Sequence, residues 1–253
     1  MNQDEAVQEM IAAGRRLDAL GYVPATDGNL SVRLSSREIL ATVSGVKKGF
    51  LTPRDFTTID PEGRPLRGGA AVSTEILMHL RIYSERPDAK AVVHAHPPTA
   101  TGFAVAGIPL RECVLPEVVS TIGAVPLAPY ATPSTDKLPE SIAPFLASHN
   151  AILLANHGAV TFGPSLFQAM NRMETVEQFA KILFVARTLG TVNLLTPAQV
   201  DDLNRIRHRY GYSGPAPTCD TRPAGPGEAT PAESDDQLVD RVLREVLRKM
   251  QDK

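Results

Sequence analysis

Tryptophan is absent from this chain of 253 residues, and aromatic side chains make up only 5% of it. Surfaces that bind single-stranded nucleic acid combine aromatic stacking platforms with an excess of basic charge. Here 26 Lys and Arg stand against 28 Asp and Glu, a formal net charge of −2, so no nucleic-acid partner is expected. No run of about 18 consecutive apolar residues occurs, which speaks against a transmembrane helix. The stretch from Met1 to Ala6 is polar and acidic, without the basic and apolar regions of a signal peptide. Cysteine occurs only at Cys113 and Cys219. Two cysteines far apart in sequence are not a disulfide framework. They are expected to be unpartnered and inert, and a reducing cytoplasm fits best.

What is present is ordinary for a globular protein: 43% hydrophobic and 21% charged residues, enough to bury a substantial core in one or two domains. Apolar periodicity predicts helices over about 4–20, from Val72 to Arg86, and over 99–106, 137–147, 166–189 and 197–208. Ser73 or Thr74 is expected to cap the second of these, with Ile76, Leu80 and Tyr83 buried. Strands are predicted over 30–34, 39–43, 57–60, 91–96, 125–127 and 151–155. The alternation makes residues 1–212 one α/β domain. Composition then shifts. Residues 213–233 are rich in Pro, Gly, Ala and Thr and read as a flexible linker. Residues 234–253 read as an amphipathic helix opened by Ser234 and Gln237 in capping-box spacing.

His94 and His96 are two apart on a strand ended by Pro97 and Pro98, so both point to one side. Alone, such a pair is most often two polar residues at a strand end. His157, at the end of a second apolar strand and followed by Gly158, is the candidate third ligand. Three imidazoles leave one coordination position open, the pattern of a catalytic divalent-metal site. Glu75 is placed to be a fourth ligand, or a helix-dipole partner. Gly28-Asn29, Ser44-Gly45 and Ser73-Thr74 each offer backbone N–H and side-chain donors to an anion. Each alone reads equally as turn or cap chemistry. His79, one helical turn from Glu75, is most simply structural, and His149 and His208 are expected to be exposed. Lys47 and Lys48 read as a solvated loop, or secondarily as an attraction for a phosphate.

Taken together, Thr26–Ser31 (TDGNLS), Ser73–Glu75 (STE), Arg86–His96 (RPDAKAVVHAH), Ala128–Thr132 (APYAT) and Asn156–Gly158 (NHG) resemble the class II, zinc-dependent aldolase/adducin family, most closely its fuculose-phosphate aldolase type. The resemblance spans about residues 5–212. It implies a three-layer α/β/α fold with a central, mostly antiparallel sheet, and a homotetramer with active sites between subunits. His94, His96 and His157 match the zinc ligands; Mn²⁺ or Co²⁺ are alternatives. Glu75 matches the carboxylate that is ligand at rest and acid/base in turnover. Gly28, Asn29, Ser44, Gly45, Ser73 and Thr74 match the phosphate cradle. Tyr210 resembles a site-covering tyrosine. The tyrosine that the aldolases place after the histidine-bearing strand is missing, and Glu117 is the nearest candidate for its proton-handling role.

The resemblance implies a lyase that cleaves a phosphorylated sugar, a ketose 1-phosphate of the fuculose or 5-deoxypentulose type, to dihydroxyacetone phosphate and an aldehyde. A phosphosugar decarboxylase, dehydratase or epimerase is the alternative on the same scaffold, and a non-catalytic adducin-like protein the third. The helix 234–253 reads most simply as packing on its own oligomer, alternatively as docking another protein through its apolar face; it also resembles the encapsulation peptides of bacterial microcompartments. That implies a shell protein as partner and a cytoplasmic location inside such a compartment.

Overall fold

The computed structural model describes residues 2–66, 69–210 and 218–221; the side chains of His208 and Tyr210 lie outside that description. The described residues fall in one compact unit, Met1–Thr221. The second unit, Arg222–Lys253, lies outside the described residues, and with it the expected helix 234–253 and most of the expected linker.

Seven strands form one sheet: β1 (Asn29–Arg33), β2 (Ile39–Thr42), β3 (Phe56–Ile59), β4 (Ala91–Ala95), β5 (Leu127–Ala128), β6 (Ala151–Leu154) and β7 (Gly158–Gly163). Their order is β3-β2-β1-β4-β7-β6-β5. Every pairing is antiparallel except β5 with β6, as the family resemblance implied.

Each face of the sheet carries its own core, because strand side chains alternate. In β4, Ala91, Val93 and Ala95 enter one core. It also holds Met10 and Leu17 of helix α1 (Gln3–Ala19), Phe103 of α3 (Pro98–Val105), and Met173, Phe179 and Leu183 of α6 (Leu166–Thr188). Val92 turns to the opposite core with Met78 and Ile82 of α2 (Ile76–Glu85) and Ile142 and Leu146 of α5 (Lys137–Leu146). Each fully buried Leu, Ile or Phe contributes roughly 1.5–3 kcal/mol. Two further helices, α4 (Pro116–Thr121) and α7 (Pro197–Ile206), complete the α-helices of the described residues. Local signals fix several boundaries: Asn2 and Glu5 form a capping box on α1, Thr196 and Gln199 one on α7, and Ser165 caps α6. Among the described residues no helix is long and apolar enough to cross a membrane.

Several expectations are corrected. Sequence periodicity does not reveal β7 or α4. The residue before α2 is Glu75, and no side chain caps this helix. Instead Ile76 N–H donates to the Ser73 carbonyl at 3.0 Å. Leu80 is only half-buried, whereas Met78 and His79 are buried. His149 is half-buried rather than exposed. Cys113 and Cys219 are joined by a disulfide. Composition could not show this, because the pairing comes from backbone docking. Thr218 accepts from Ala124 N–H at 2.7 Å, Asp220 N–H donates to Arg111 at 2.7 Å, and Cys113 N–H donates to Asp220 at 2.9 Å. Residues 218–220, inside the stretch expected to be a linker, thus lie along residues 111–113.

Candidate metal and phosphate site

The pairing of β4 with β7 gathers the histidines. His94 pairs with Val160 and Ala95 with Ala159, so the turn just before β7 lies beside the end of β4. His157 sits in that turn rather than at a strand end. Two glycines permit the crowding. A Cβ on Gly158 would stand 2.5 Å from the His96 ring and 2.6 Å from the Ala95 carbonyl oxygen. Gly28 has φ +71°, and a Cβ there would meet the His94 carbonyl oxygen at 2.7 Å. Asn156, in the left-handed region at φ 55°, turns the chain ahead of His157; Asn tolerates that conformation well.

The ligand atoms of His94, His96 and His157 lie within 4.8 Å of one another. His94 Nε2 is 3.2 Å from His96 Nε2. Glu75 reaches the cluster with both oxygens, Oε2 at 3.3 Å from His94 Nε2 and Oε1 at 3.1 Å from His157 Nε2. Four ligands on a tetrahedral zinc, at bonds of about 2.0–2.1 Å, stand roughly 3.3 Å apart, so these spacings fit one shared divalent ion. The outer ring nitrogens support the same reading. His94 Nδ1 donates to the Ala159 carbonyl at 2.9 Å, and His96 Nδ1 faces Asp27 Oδ2 at 3.2 Å. Each contact turns the Nε2 lone pair inward, as metal-ligating imidazoles require. His157 Nδ1 is buried with no hydrogen-bond partner among the described residues.

Electrostatics favour ligands ready to bind. Burial lowers the His94 pKa, against the opposing pull of Glu75. Burial also lowers His96, and the nearby His157 adds to this. Both rings are thereby kept neutral at pH 7. Burial would raise Glu75, but the hydrogen bond to His157, the electrostatic pull of the His94 and His157 rings, and the Asn29 amide hold it well below the usual carboxylate range. The carboxylate is therefore ionised and aimed. Asn29 Nδ2 donates to Glu75 Oε2 at 2.7 Å and to Ser73 Oγ at 3.2 Å.

A cavity of about 350 Å³ opens beside this cluster. It is lined by Gly28, Asn29, Ser44, Gly45, Ser73 and Thr74, so the three expected cradle segments do converge, and Glu75, His96 and His157 line the same cavity. Gly45 also has positive φ, +75°, which turns the second segment toward the cavity. Glu117 is exposed on α4 and is not among the lining residues. Tyr210 closes a 3-10 turn, Arg207–Tyr210, and its side chain lies outside the described residues.

Sequence reasoning does not single out three lining or supporting residues and places a fourth, Lys48, mainly in solvent. Asp27 orients His96. Ser134 lines the cavity and bonds Thr74 Oγ1 at 2.5 Å. Glu177, fully buried on α6, accepts the N–H groups of Thr99 and Ala100 at 3.1 and 2.8 Å, fixing the amino end of α3 just after His96. Lys48, expected in a solvated loop, is 2% exposed and lines the cavity. Asp27 lies inside the TDGN motif and could have been found there; Lys48 follows Ser44-Gly45, which carries its secondary reading; Ser134 and Glu177 give no local signal.

Residues 8–184 match the family described as class II aldolase and adducin N-terminal domain. The chain is 35% identical over 202 residues to the 3-oxo-tetronate 4-phosphate decarboxylase of Escherichia coli K12, covering 78% of this chain and 93% of that one. It is 36% identical over 180 residues to the methylthioribulose-1-phosphate dehydratase of Methylococcus capsulatus, covering 67% and 88%. The solved structure of L-fuculose-1-phosphate aldolase from Thermus thermophilus superposes with a TM-score of 0.65 at 34% identity, over 74% of this chain and 97% of that one. On this match across most of its length, this chain belongs to the class II aldolase/adducin family.

Proposed function

We propose that this protein is a zinc-dependent lyase that releases dihydroxyacetone phosphate from a phosphorylated keto sugar or keto sugar acid. The observation that carries the proposal is Glu75, ionised, held by Asn29 and touching two of three clustered histidines, in one cavity with three converging segments rich in N–H and hydroxyl groups.

The substrates in the relatives' names support this chemistry. Loss of CO₂ from 3-oxo-tetronate 4-phosphate and cleavage of fuculose 1-phosphate between C3 and C4 break the same bond relative to the ketone, that between its α and β carbons. Both leave an electron pair on the α carbon, and protonating that carbon gives dihydroxyacetone phosphate. Dehydration of methylthioribulose 1-phosphate needs the same charge beside a ketone.

His94, His96 and His157 would hold the ion, with Glu75 as the displaceable fourth group. A divalent ion bound there would act as a Lewis acid on the substrate's ketone oxygen. The chain's own residues do the rest. The cradle grips the phosphate, far from the reacting carbons, and so fixes their orientation. Glu75, released from the histidines, takes a proton from water and passes it to the α carbon. Asn29 touches both Glu75 and Ser73 of the cradle, so it ties proton delivery to phosphate position. When the β fragment leaves as CO₂, no further base is needed. When it leaves as an aldehyde, a base must take its hydroxyl proton, and Glu117 or Tyr210, each brought to a site between subunits, is the proposed group.

The test is to incubate the zinc-loaded protein with 3-oxo-tetronate 4-phosphate and separately with a ketulose 1-phosphate. Dihydroxyacetone phosphate is measured by coupled reduction, together with CO₂ or aldehyde. Dihydroxyacetone phosphate from either substrate, lost in Glu75→Gln, supports the proposal. Water loss or inversion without that product would overturn it.

A further inference from the structure

The cradle poses an electrostatic problem. Gly28, Asn29, Ser44, Gly45, Ser73 and Thr74 supply N–H, amide and hydroxyl groups but no charge, and two acids, Asp27 and Glu75, line the same cavity. A phosphate monoester carries about −1.5 to −2 charges at pH 7. Apart from the proposed metal ion at the histidines, such an anion would meet only dipoles and acids along the cradle.

Among the described lining residues, Lys48 is the one lysine or arginine. It lies in the 3-10 turn Lys48–Phe50, packed against α1. Its side chain is not solvated: the residue is 2% exposed. Nζ donates to the Thr26 carbonyl at 2.8 Å and to the Val46 carbonyl at 2.7 Å. Those carbonyls belong to two different cradle segments, 26–29 and 44–46. One ammonium thus bridges the loop bearing Gly28 and Asn29 and the loop bearing Ser44 and Gly45. Lysine has three donors, so one is left for a ligand. Burial brings the Lys48 pKa down to about 8, while Asp27 and Glu75 push it back up. The charge is therefore present at neutral pH. The neighbouring charges on the packed helix are accounted for separately, since Asp18 of α1 pairs with Lys47 at 3.5 Å.

We propose that Lys48 is the cation of the phosphate subsite: it ties two cradle loops together and supplies the positive charge a phosphomonoester needs. This deepens the proposed function, because it assumes that the cavity accepts a phosphate ester. A phosphate arriving opposite Lys48 relieves the burial of its charge and fills its third donor position. The same contact explains why a loop lysine is threaded inward rather than left in water, where its charge would suffer no desolvation.

The test uses inorganic phosphate as probe, titrated calorimetrically into the full-length protein without metal, so that turnover is not needed. Lys48→Met is expected to bind phosphate about tenfold or more weakly, the loss typical of a charged hydrogen-bond partner. Lys48→Arg is expected to recover part of that loss. Both variants should bind zinc with unchanged stoichiometry, since the histidines are untouched. Unchanged phosphate affinity in Lys48→Met would overturn the proposal. Equal loss in Met and Arg variants would do so as well, reducing Lys48 to a brace. If Lys48→Met does not fold, the wild type labelled with ¹⁵N-lysine decides. Phosphate should move the Lys48 titration to higher pH, and an unmoved titration would refute the role. Phosphate binding that depends on Lys48 in a protein inactive on both substrates would retain this proposal while removing the functional one.

Discussion

The two halves of the cavity are made by opposite means. The metal half consists of side chains on a paired strand and the turn beside it, with His94 and His96 each fixed through its outer nitrogen. The half proposed to hold the phosphate consists of backbone and small side chains on three segments, drawn together by Gly28 and Gly45 in left-handed conformations and by Lys48 across two carbonyls. A metal needs few, directional ligands of defined type, which a rigid strand delivers. A phosphate needs many donors from several directions, which loops deliver. Asn29 and Glu75 stand where the halves meet, and their contact links what each half does.

Perturbing each half should give distinct failures. The largest effect belongs to the metal half. His157→Ala should lose bound zinc and lower kcat/KM by about a thousandfold or more, the several kcal/mol a Lewis acid contributes, with the phosphate affinity of the cavity kept. Elemental analysis alongside phosphate titration checks this. Gly28→Ala strikes the junction. Its backbone lies at φ +71°, and the new Cβ would meet the His94 carbonyl at 2.7 Å. The expected cost is about 1–3 kcal/mol of stability, together with weakened phosphate binding, read as a lower melting temperature and a higher KM.

Acid should unfasten the metal half of the metal-free protein. His79, wholly buried with Nδ1 2.7 Å from Ser31 Oγ, has its pKa lowered by burial to about 4 from 6.5. Between those values the unfolded chain binds a proton that the folded one refuses, so stability falls as pH falls. The loss from His79 alone is roughly 3 kcal/mol, fully developed near pH 4. Glu75, also held low, extends the loss below pH 4.5, because there too the unfolded state takes up the proton first. Urea midpoints between pH 4 and 7 measure it, and zinc should blunt it.

The smallest effect lies away from the cavity. Reducing Cys113–Cys219 should free residues 218–221 to proteolysis, while zinc and phosphate binding stay unchanged. Limited digestion with and without a dithiol reads this directly.

The same division explains what can be read from sequence. Ligand types at strand spacing are written locally, so His94 and His96 announce themselves, and His157 follows as a third imidazole near Gly158. The strand that places His157, β7, escapes sequence reading although Ala159–Phe162 is apolar and β-branched, because the turn at Asn156 reads as an end rather than a hairpin. Loops carry no such period: the convergence of Gly28, Ser44 and Ser73 is legible only through the family resemblance. The burial of Lys48 and of Glu177 is invisible for a plainer reason. A charged side chain is buried only where a distant carbonyl or helix end awaits it, and that partner exists only after folding. The Cys113–Cys219 bond likewise depends on residues 218–220 docking beside residues 111–113.

The central claim is that Glu75 moves a proton at the carbon beside the ketone while three histidines hold the ion. It can be tested on the product alone. Zinc-loaded protein incubated with dihydroxyacetone phosphate in D₂O should exchange one hydrogen of the hydroxymethyl carbon for deuterium, seen by proton NMR. Glu75→Gln, still carrying zinc, should not. Exchange at equal rates in both proteins, or none in the zinc-loaded wild type, would contradict the account.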